Sequence, residues 1–314
     1  MKIMPNRREF INSIAIVGTS PFFIKPSEFL DSNKGFMASL NPGAIGLRCS
    51  AHQLLDYAIE YKFSAISPLL GDLIKFKEDE RKAYLSKMES NRIEFDSGGL
   101  PIEFRTSESK FQEGFQFLKK HIKTISSFKI PSFVTWIMPT HKSLTYNQNF
   151  EQHHKRLSKV ANILEQAGLR LGLEYVGPKT LMVRDKYPFL HTIGGLRELV
   201  NTIGKKNVGY LLDSFHTYCA EDKREDMKFL IADDIVSVQL NDAVVGRNPA
   251  DQIDQERELP GDTGIIDLKY FLDFIHSKGY RGSVSVEPFN RSINLMETSA
   301  KLRRVRSSLL KNGI

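Results

Sequence analysis

Along most of this chain, short apolar runs alternate with longer stretches in which apolar residues recur every three or four positions. The alternation begins near residue 44. Ala44–Cys49 reads as a first strand, and His52–Tyr61 as a helix with Leu54, Leu55, Ala58 and Ile59 on one face. Phe63–Ser67 and Arg92–Phe95 read as the next strands, separated by a helix over Glu78–Ser90. A long helix over Lys110–Phe128 carries Phe111, Phe115, Leu118 and Ile122 at helical spacing. Strand Ser132–Ile137, helix Phe150–Ala167, strand Arg170–Glu174 and helix Ile193–Ile203 come next, and glycines 168 and 204 end the two helices. The remaining expected elements are strand Val208–Asp213, a short helix over Asp226–Ile231, strand Ile235–Leu240, helix Leu268–Ser277, strand Gly282–Glu287 and a final helix over Leu295–Leu310.

Eight strand–helix units predict a single-domain α/β fold, a (β/α)8 TIM barrel, over residues 35–314. The strands are continuous apolar runs, as buried parallel strands are. A doubly wound sheet would carry a phosphate-binding glycine signature after its first strand, and neither GxGxxG nor a P-loop is present.

Composition narrows the class. Of 314 residues, 41% are hydrophobic and 26% charged, which excludes disordered and low-complexity chains, and two cysteines exclude a disulfide scaffold. The net charge of +7 invites a nucleic-acid reading until it is located. Residues 1–34 contribute +2 and residues 291–314 contribute +5, so the 256 residues between are neutral, and no nucleic-acid partner is expected. The basic last helix, with Arg303, Arg304 and Arg306, offers a solvated face or a subunit contact, which leaves a homo-oligomer open. Asn6-Arg7-Arg8-Glu9-Phe10-Ile11, with an apolar run after it, resembles a twin-arginine export signal. Residues 1–34 are therefore expected to be signal and linker, and the protein periplasmic or otherwise exported. No run reaches the roughly 18 apolar residues of a membrane span.

In a barrel, chemistry sits at the C-terminal strand ends. Four consecutive ends here carry polar groups after apolar runs: Glu174, Asp213, Gln239 and Glu287. One such acid would serve as a helix cap or in an ion pair. Several converging on one mouth need a cation to offset their repulsion. Two or three carboxylates with a neutral ligand suit one divalent ion, Mn2+, Mg2+ or Co2+ better than Zn2+.

The segments that carry these residues are Leu-Glu-Tyr-Val-Gly-Pro-Lys at 173–179, Leu-Leu-Asp-Ser-Phe-His-Thr at 211–217, Gln-Leu-Asn-Asp at 239–242, Arg-Glu-Leu-Pro-Gly-Asp-Thr-Gly at 257–264 and Val-Glu-Pro at 286–288. Together they resemble the xylose isomerase-like TIM-barrel superfamily, the sugar phosphate isomerase/epimerase group. The resemblance implies a carbohydrate substrate and one metal held by Glu174, Asp213, Gln239 and Glu287. It places His216 and Arg257 on substrate oxygens, with Lys179 as a further contact. Many members have His where this chain has Gln239, so ligation there is expected to be weaker. Endonuclease IV shares the fold but needs a histidine-rich three-zinc cluster, which these strand ends do not offer.

The implied reaction is α-proton abstraction from a ketose through an enediolate, with Glu174 and Glu287 as base and acid. The alternatives are a lyase or dehydratase, eliminating an aglycone from 3-keto-glycosides or water from a keto-polyol at the same site, and a non-catalytic sugar-binding barrel. Trp136, at the end of the fourth strand, offers a wall for a sugar ring or packs in the core. His141 faces the mouth, whereas His153 and His154 read as surface residues at the start of a helix. Gly246–Glu256 reads as a polar lid over the substrate.

Overall fold

The computed structural model describes residues 35–314, so the paired arginines lie outside the described residues. Eight parallel strands form the barrel: β1 (Met37–Leu40), β2 (Ala65–Ile66), β3 (Glu94–Phe95, resuming at Gly98–Gly99), β4 (Ser132–Ile137), β5 (Arg170–Tyr175), β6 (Val208–Asp213), β7 (Ile235–Leu240) and β8 (Ser283–Val286). Their helices are α1 (Ala51–Glu60), α2 (Glu78–Ser90), α3 (Glu108–Ser126), α4 (Tyr146–Gln166), α5 (Ile193–Ile203), α6 (Ser214–Ala220), α7 (Leu268–Ser277) and α8 (Thr298–Lys311). Local chemistry sets their limits. Ser50 and Gln53 form a capping box on α1, Thr192 caps α5, and Gly204 ends α5 in the left-handed conformation at φ 65°.

Some boundaries differ from those expected. The first strand is Met37–Leu40; Ala44–Cys49 is a loop containing a single 3-10 turn, and its apolar residues Ala44, Ile45 and Leu47 pack into the core as loop side chains. Asp226–Ile231 is a run of turns, because α6 comes directly after β6 and supplies that unit's helix. The last helix is divided, Arg291–Leu295 and then α8, with Met296 extended between them. His153 is buried rather than exposed, its ring packed against Phe104 and Phe189; His154 is half-buried. Cys49 and Cys219 are both free thiols.

Two details of the ladder set the positions of the polar strand ends. In β7 the register shifts between Ile235 and Ser237, so that Gln239 pairs with Asp213. Without the extra residue, Val238 would stand there, since one residue of slip changes which side chain faces the partner. The ring closes within β3: Glu94–Phe95 pairs with β2, and Gly98–Gly99 pairs with β4. At the junction the Asp96 N–H donates to the Ile66 carbonyl at 2.9 Å, and the Ser97 N–H donates to Asp96 Oδ1 at 2.6 Å. The Ser283 hydroxyl also donates to Asp96 Oδ1. Ser97 Oγ meets Ser132 Oγ at 2.7 Å.

Asp96 is buried, and burial pushes its carboxyl above the ordinary range against the pull of these hydrogen bonds. The folded chain thus keeps a proton that the unfolded chain loses, so this group's contribution is complete at low pH and is lost as pH rises through the folded value. Asp96→Asn mimics the protonated form. Its stability relative to the parent should improve as pH is raised from about 4, the ordinary aspartate range, to neutral. Denaturant unfolding across that range checks this, and a difference independent of pH would refute it.

Candidate active site

The polar strand ends converge. Partners in a parallel ladder face the same side, so the Trp136–Glu174 and Asp213–Gln239 pairs present their side chains together. Glu174, Asp213 and Gln239 are buried, and the Glu287 side chain is 19% exposed. Glu174, Gln239 and Glu287 line two adjoining cavities, and Asp213 lies behind them against Arg257 and Asn241. One, of about 250 Å3, reaches into the barrel from Glu174, Gln239 and Glu287 down to Asp96. The other, of about 330 Å3, lies between Glu174, His216, Asp254, Arg257 and Glu287. Trp136, 48% exposed, lines both, which makes it a cavity wall and not a core residue.

Arg257 sits in the centre at 1% exposure. Its Nη1 donates to Asp213 Oδ2 at 3.0 Å, and lies 3.3 Å from the Glu287 carbonyl and 3.5 Å from Glu287 Oε2. Its Nη2 donates to Asp254 Oδ1 at 2.7 Å and its Nε to the Asp254 carbonyl at 2.8 Å. The guanidinium lies between the rings of Phe215 and Phe289, 4.8 Å from each centroid. Burial alone would ease its proton off, but the carboxylates of Asp213, Asp254, Glu287 and Glu174 bind it more firmly than usual. All three guanidinium nitrogens are thus directed at protein groups.

His216, in α6, faces a donor at each ring nitrogen. The Gly177 N–H approaches Nδ1 at 3.3 Å, and Arg257 Nη2 lies 3.3 Å from Nε2. A neutral imidazole has one lone pair and accepts from only one of them. Accepting from Gly177 leaves the proton on Nε2, facing Glu174 Oε1 at 3.7 Å and Asp254 Oδ1 at 3.8 Å. Burial, then the charge of Arg257, lowers the pKa of His216 to about 4, so it is neutral near pH 7. Burial and the neighbouring acids push Glu174 well above the carboxylate range; burial, Asp213 and Asp254 raise Glu287 against the opposing pull of Arg257.

Two further residues, not among the expected site residues, build the site. Asn241, completely buried, donates to Asp213 Oδ2 at 2.9 Å and accepts the Glu287 N–H at 2.8 Å, tying the ends of β6 and β8 together. Asp254 comes from the polar insertion, whose base Gln252 pins by bonding Val244 and Arg247. By contrast, Asp242 accepts from the backbone N–H groups of Ala243, Thr263, Gly264 and Ile266, so it organises a loop. Lys179 is not brought to the cavities: it pairs with Glu221 on the surface at 2.8 Å. His141 lines a third cavity beside the mouth.

The donor set fits a divalent ion. Glu174 and Asp213 place one carboxylate oxygen each within 4.8 Å of one another and of the His216 ring, whose Nδ1 faces the Gly177 N–H. Glu174 Oε1 and Gln239 Oε1 are buried acceptors with no hydrogen-bond partner. Buried acceptors left without a donor are costly, and a cation satisfies them.

Comparisons with known proteins bear on the family and the fold. The family model described as xylose isomerase-like TIM barrel matches residues 55–309. Inosose isomerase from Halalkalibacterium halodurans is 26% identical over 185 residues, 58% of this chain and 61% of that protein. The chain therefore matches about three-fifths of that relative's length. A 3-dehydroshikimate dehydratase from Pseudomonas aeruginosa is 33% identical over 104 residues, 33% of this chain and 16% of that protein. Among solved structures, a xylose isomerase domain protein from Alicyclobacillus acidocaldarius superposes with a TM-score of 0.77 at 28% identity, covering 88% of this chain and 98% of that one. The IOLI protein, solved with a binding zinc atom, superposes at 0.74 with 19% identity, covering 88% and 98%, and shares the fold.

The geometry makes two stability predictions. Arg257→Ala leaves a group of buried carboxylates without their counterion, which should cost about 3–5 kcal/mol in chemical unfolding; a loss under about 1 kcal/mol would contradict the central role of the guanidinium. A Cβ on Gly177 would lie 2.3 Å from the His216 carbonyl oxygen, so Gly177→Ala must displace α6. It should cost more than about 1 kcal/mol, against little for Gly71→Ala, where a Cβ meets nothing within 4 Å.

Proposed function

The chain belongs to the xylose isomerase-like TIM-barrel family, and we propose that it is a divalent-metal-dependent isomerase or epimerase of a sugar or keto-sugar. One observation carries this reading. Two carboxylates, the buried Glu174 and the partly buried Glu287, line the same pair of cavities, beside buried oxygens of Glu174 and Gln239 that no donor satisfies. Glu174, Asp213, Gln239 and Glu287 would hold the ion, with oxygen donors that suit Mn2+, Mg2+ or Co2+ more than Zn2+. Such an ion, when bound, polarises a substrate carbonyl and so acidifies the adjacent carbon.

The chain's own residues supply the rest. One of Glu174 and Glu287 takes the α-proton onto a carboxylate oxygen, and the other returns a proton. Return to the opposite face of the same carbon gives an epimer; return to the neighbouring carbon gives an isomer. His216, neutral near pH 7, donates to a substrate oxygen from Nε2 in the tautomer that accepts the Gly177 N–H at Nδ1. Arg257 holds Asp213 and Glu287 in place from behind, and Trp136 presents an aromatic face to the sugar.

A second reading keeps the site and changes the outcome. The same proton removal next to a carbonyl expels a β-leaving group, water or an aglycone, making the protein a lyase. The match to a 3-dehydroshikimate dehydratase favours it. Compartment bears on the choice, because glycosides are met outside the cytoplasm. Among the described residues no helix is long and apolar enough to cross a membrane. We propose export through the Arg7–Arg8 signal, and Arg7→Lys with Arg8→Lys should retain the protein in the cytoplasm on fractionation.

Metal analysis of the purified protein should find about one divalent ion per chain, lost in Glu174→Gln and in Asp213→Asn. A metal-free parent protein would overturn the catalytic reading. Incubation with free ketoses and 3-keto-glycosides in D2O should place solvent deuterium on the α carbon. An epimeric or isomeric sugar then identifies the first reading, and released aglycone or water loss the second. Deuterium in neither substrate class would leave a binding protein.

A further inference from the structure

Beside the mouth lies a larger cavity, of about 520 Å3, between the loops after β3, β4 and β5 and the start of α4. It shares Met138 and Arg184 with the cavity that holds Glu174, His216 and Glu287. Its Arg105 stacks on Trp136, guanidinium carbon to ring centroid 4.2 Å, so one ring forms the wall between the two spaces. The reacting centre therefore adjoins room for a second unit of substrate.

The linings of the two spaces differ in sign. The central site is dominated by acids, whereas the side cavity carries Arg105, Lys142 and Arg184 against a single carboxylate, Asp185. That carboxylate already accepts from Thr140 Oγ1 at 3.0 Å and lies 3.9 Å from Arg184 Nε. Arg105 is held rigidly: its guanidinium lies 4.6 Å from the Phe104 centroid as well as against Trp136, and Nη1 reaches Thr135 Oγ1 at 3.3 Å. Its nearest acid, Glu103, lies 3.6 Å from Nε. A fixed guanidinium flanked by two further cations suits a carboxylate or phosphate.

The same cavity also asks for hydroxyl groups. Asn149 and His153 line it, each 1% exposed, and Asn149 Oδ1 and His153 Nε2 have no hydrogen-bond partner. His153 Nδ1 meets the Asn149 carbonyl at 2.8 Å and must donate to it, which leaves Nε2 as an acceptor. Burial lowers the pKa of His153 to about 4, so that lone pair is available near neutral pH. Two buried acceptors without donors, beside three cations, describe a ligand bearing both hydroxyls and an anionic group.

We propose that this cavity is a second subsite, binding an anionic polyhydroxy unit, a sugar carboxylate or sugar phosphate, joined to the keto-sugar that reacts in the central cavity. The substrate class becomes an acidic glycoside or other two-unit sugar derivative. The inference deepens the proposed function and rests on it for what the neighbouring cavity does.

Calorimetric titration of the full-length protein with D-glucuronate, D-glucose 6-phosphate and D-glucose tests it through binding alone. Either anionic probe should bind at least tenfold tighter than glucose, and added salt should weaken that preference. Lys142→Ala with Arg184→Gln, both on exposed side chains, should lower the anionic affinity at least tenfold and the glucose affinity far less. Asn149→Leu should weaken all three sugars. Equal affinity for charged and neutral probes, or a preference that survives the double substitution, would overturn the proposal. Glu174→Gln separates the two ideas, since it should keep the anion preference. A protein that selects anions but exchanges no α-proton would refute the reaction and leave the subsite standing.

Discussion

The site depends on one buried cation that belongs to the chain itself. Carboxylates from β6, β8 and the loop after β7 are gathered in a space too dry to tolerate their mutual repulsion, and the Arg257 guanidinium lies among them. Its planar fork meets the acids edge-on while its faces rest on Phe215 and Phe289. A lysine would offer a point charge with neither the fork nor the flat faces. Asn241 adds the neutral crosslink, donating to one acid and accepting from the backbone beside another.

That charge arrangement works only because the backbone delivers each group to the same height. The irregularity in β7 puts Gln239 opposite Asp213, and the close passage of Gly177 over α6 sets His216. The polar insertion contributes from above. Asp254 fixes Arg257 through both its carboxylate and its carbonyl, so the loop and the carboxylate cluster are one hydrogen-bonded unit.

Much of the barrel and its acids is legible in the sequence, for a physical reason. Buried parallel strands must be apolar, so Glu174, Asp213 and Glu287 stand out where the apolar runs stop. Strand Ser132–Ile137 and helix Ile193–Ile203 are readable to the residue because their apolar patterns and boundary signals agree. The first strand is not, because Ala44–Leu47 is as apolar as a strand, though it is a loop folded into the core. His153 reads as exposed, since a helix start rich in polar residues hides the one face that turns inward. Asn241 stands in the segment 239–242 with nothing to single it out, and Asp254 carries no local signal, because each matters only through a partner that the fold supplies. Asn241 meets Asp213 from 28 residues away, and Asp254 counts because the Arg257 beside it is buried among acids. Lys179 sits in a motif whose neighbours reach the site, but Glu221 turns it away.

The divided third strand has a consequence for how this barrel accommodates change. Its first half serves β2 and its second half serves β4, and between them Ser97 bonds a side chain where a ladder would offer a carbonyl. Asp96 and Ser97 also line the inner cavity. One stave of the ring is thus jointed, and the joint faces the chemistry. Substitutions there alter the floor of the cavity and also break the side-chain bonds from Asp96 to Ser283 and from Ser97 to Ser132, so the interior shape of this barrel and the closure of its ring change together.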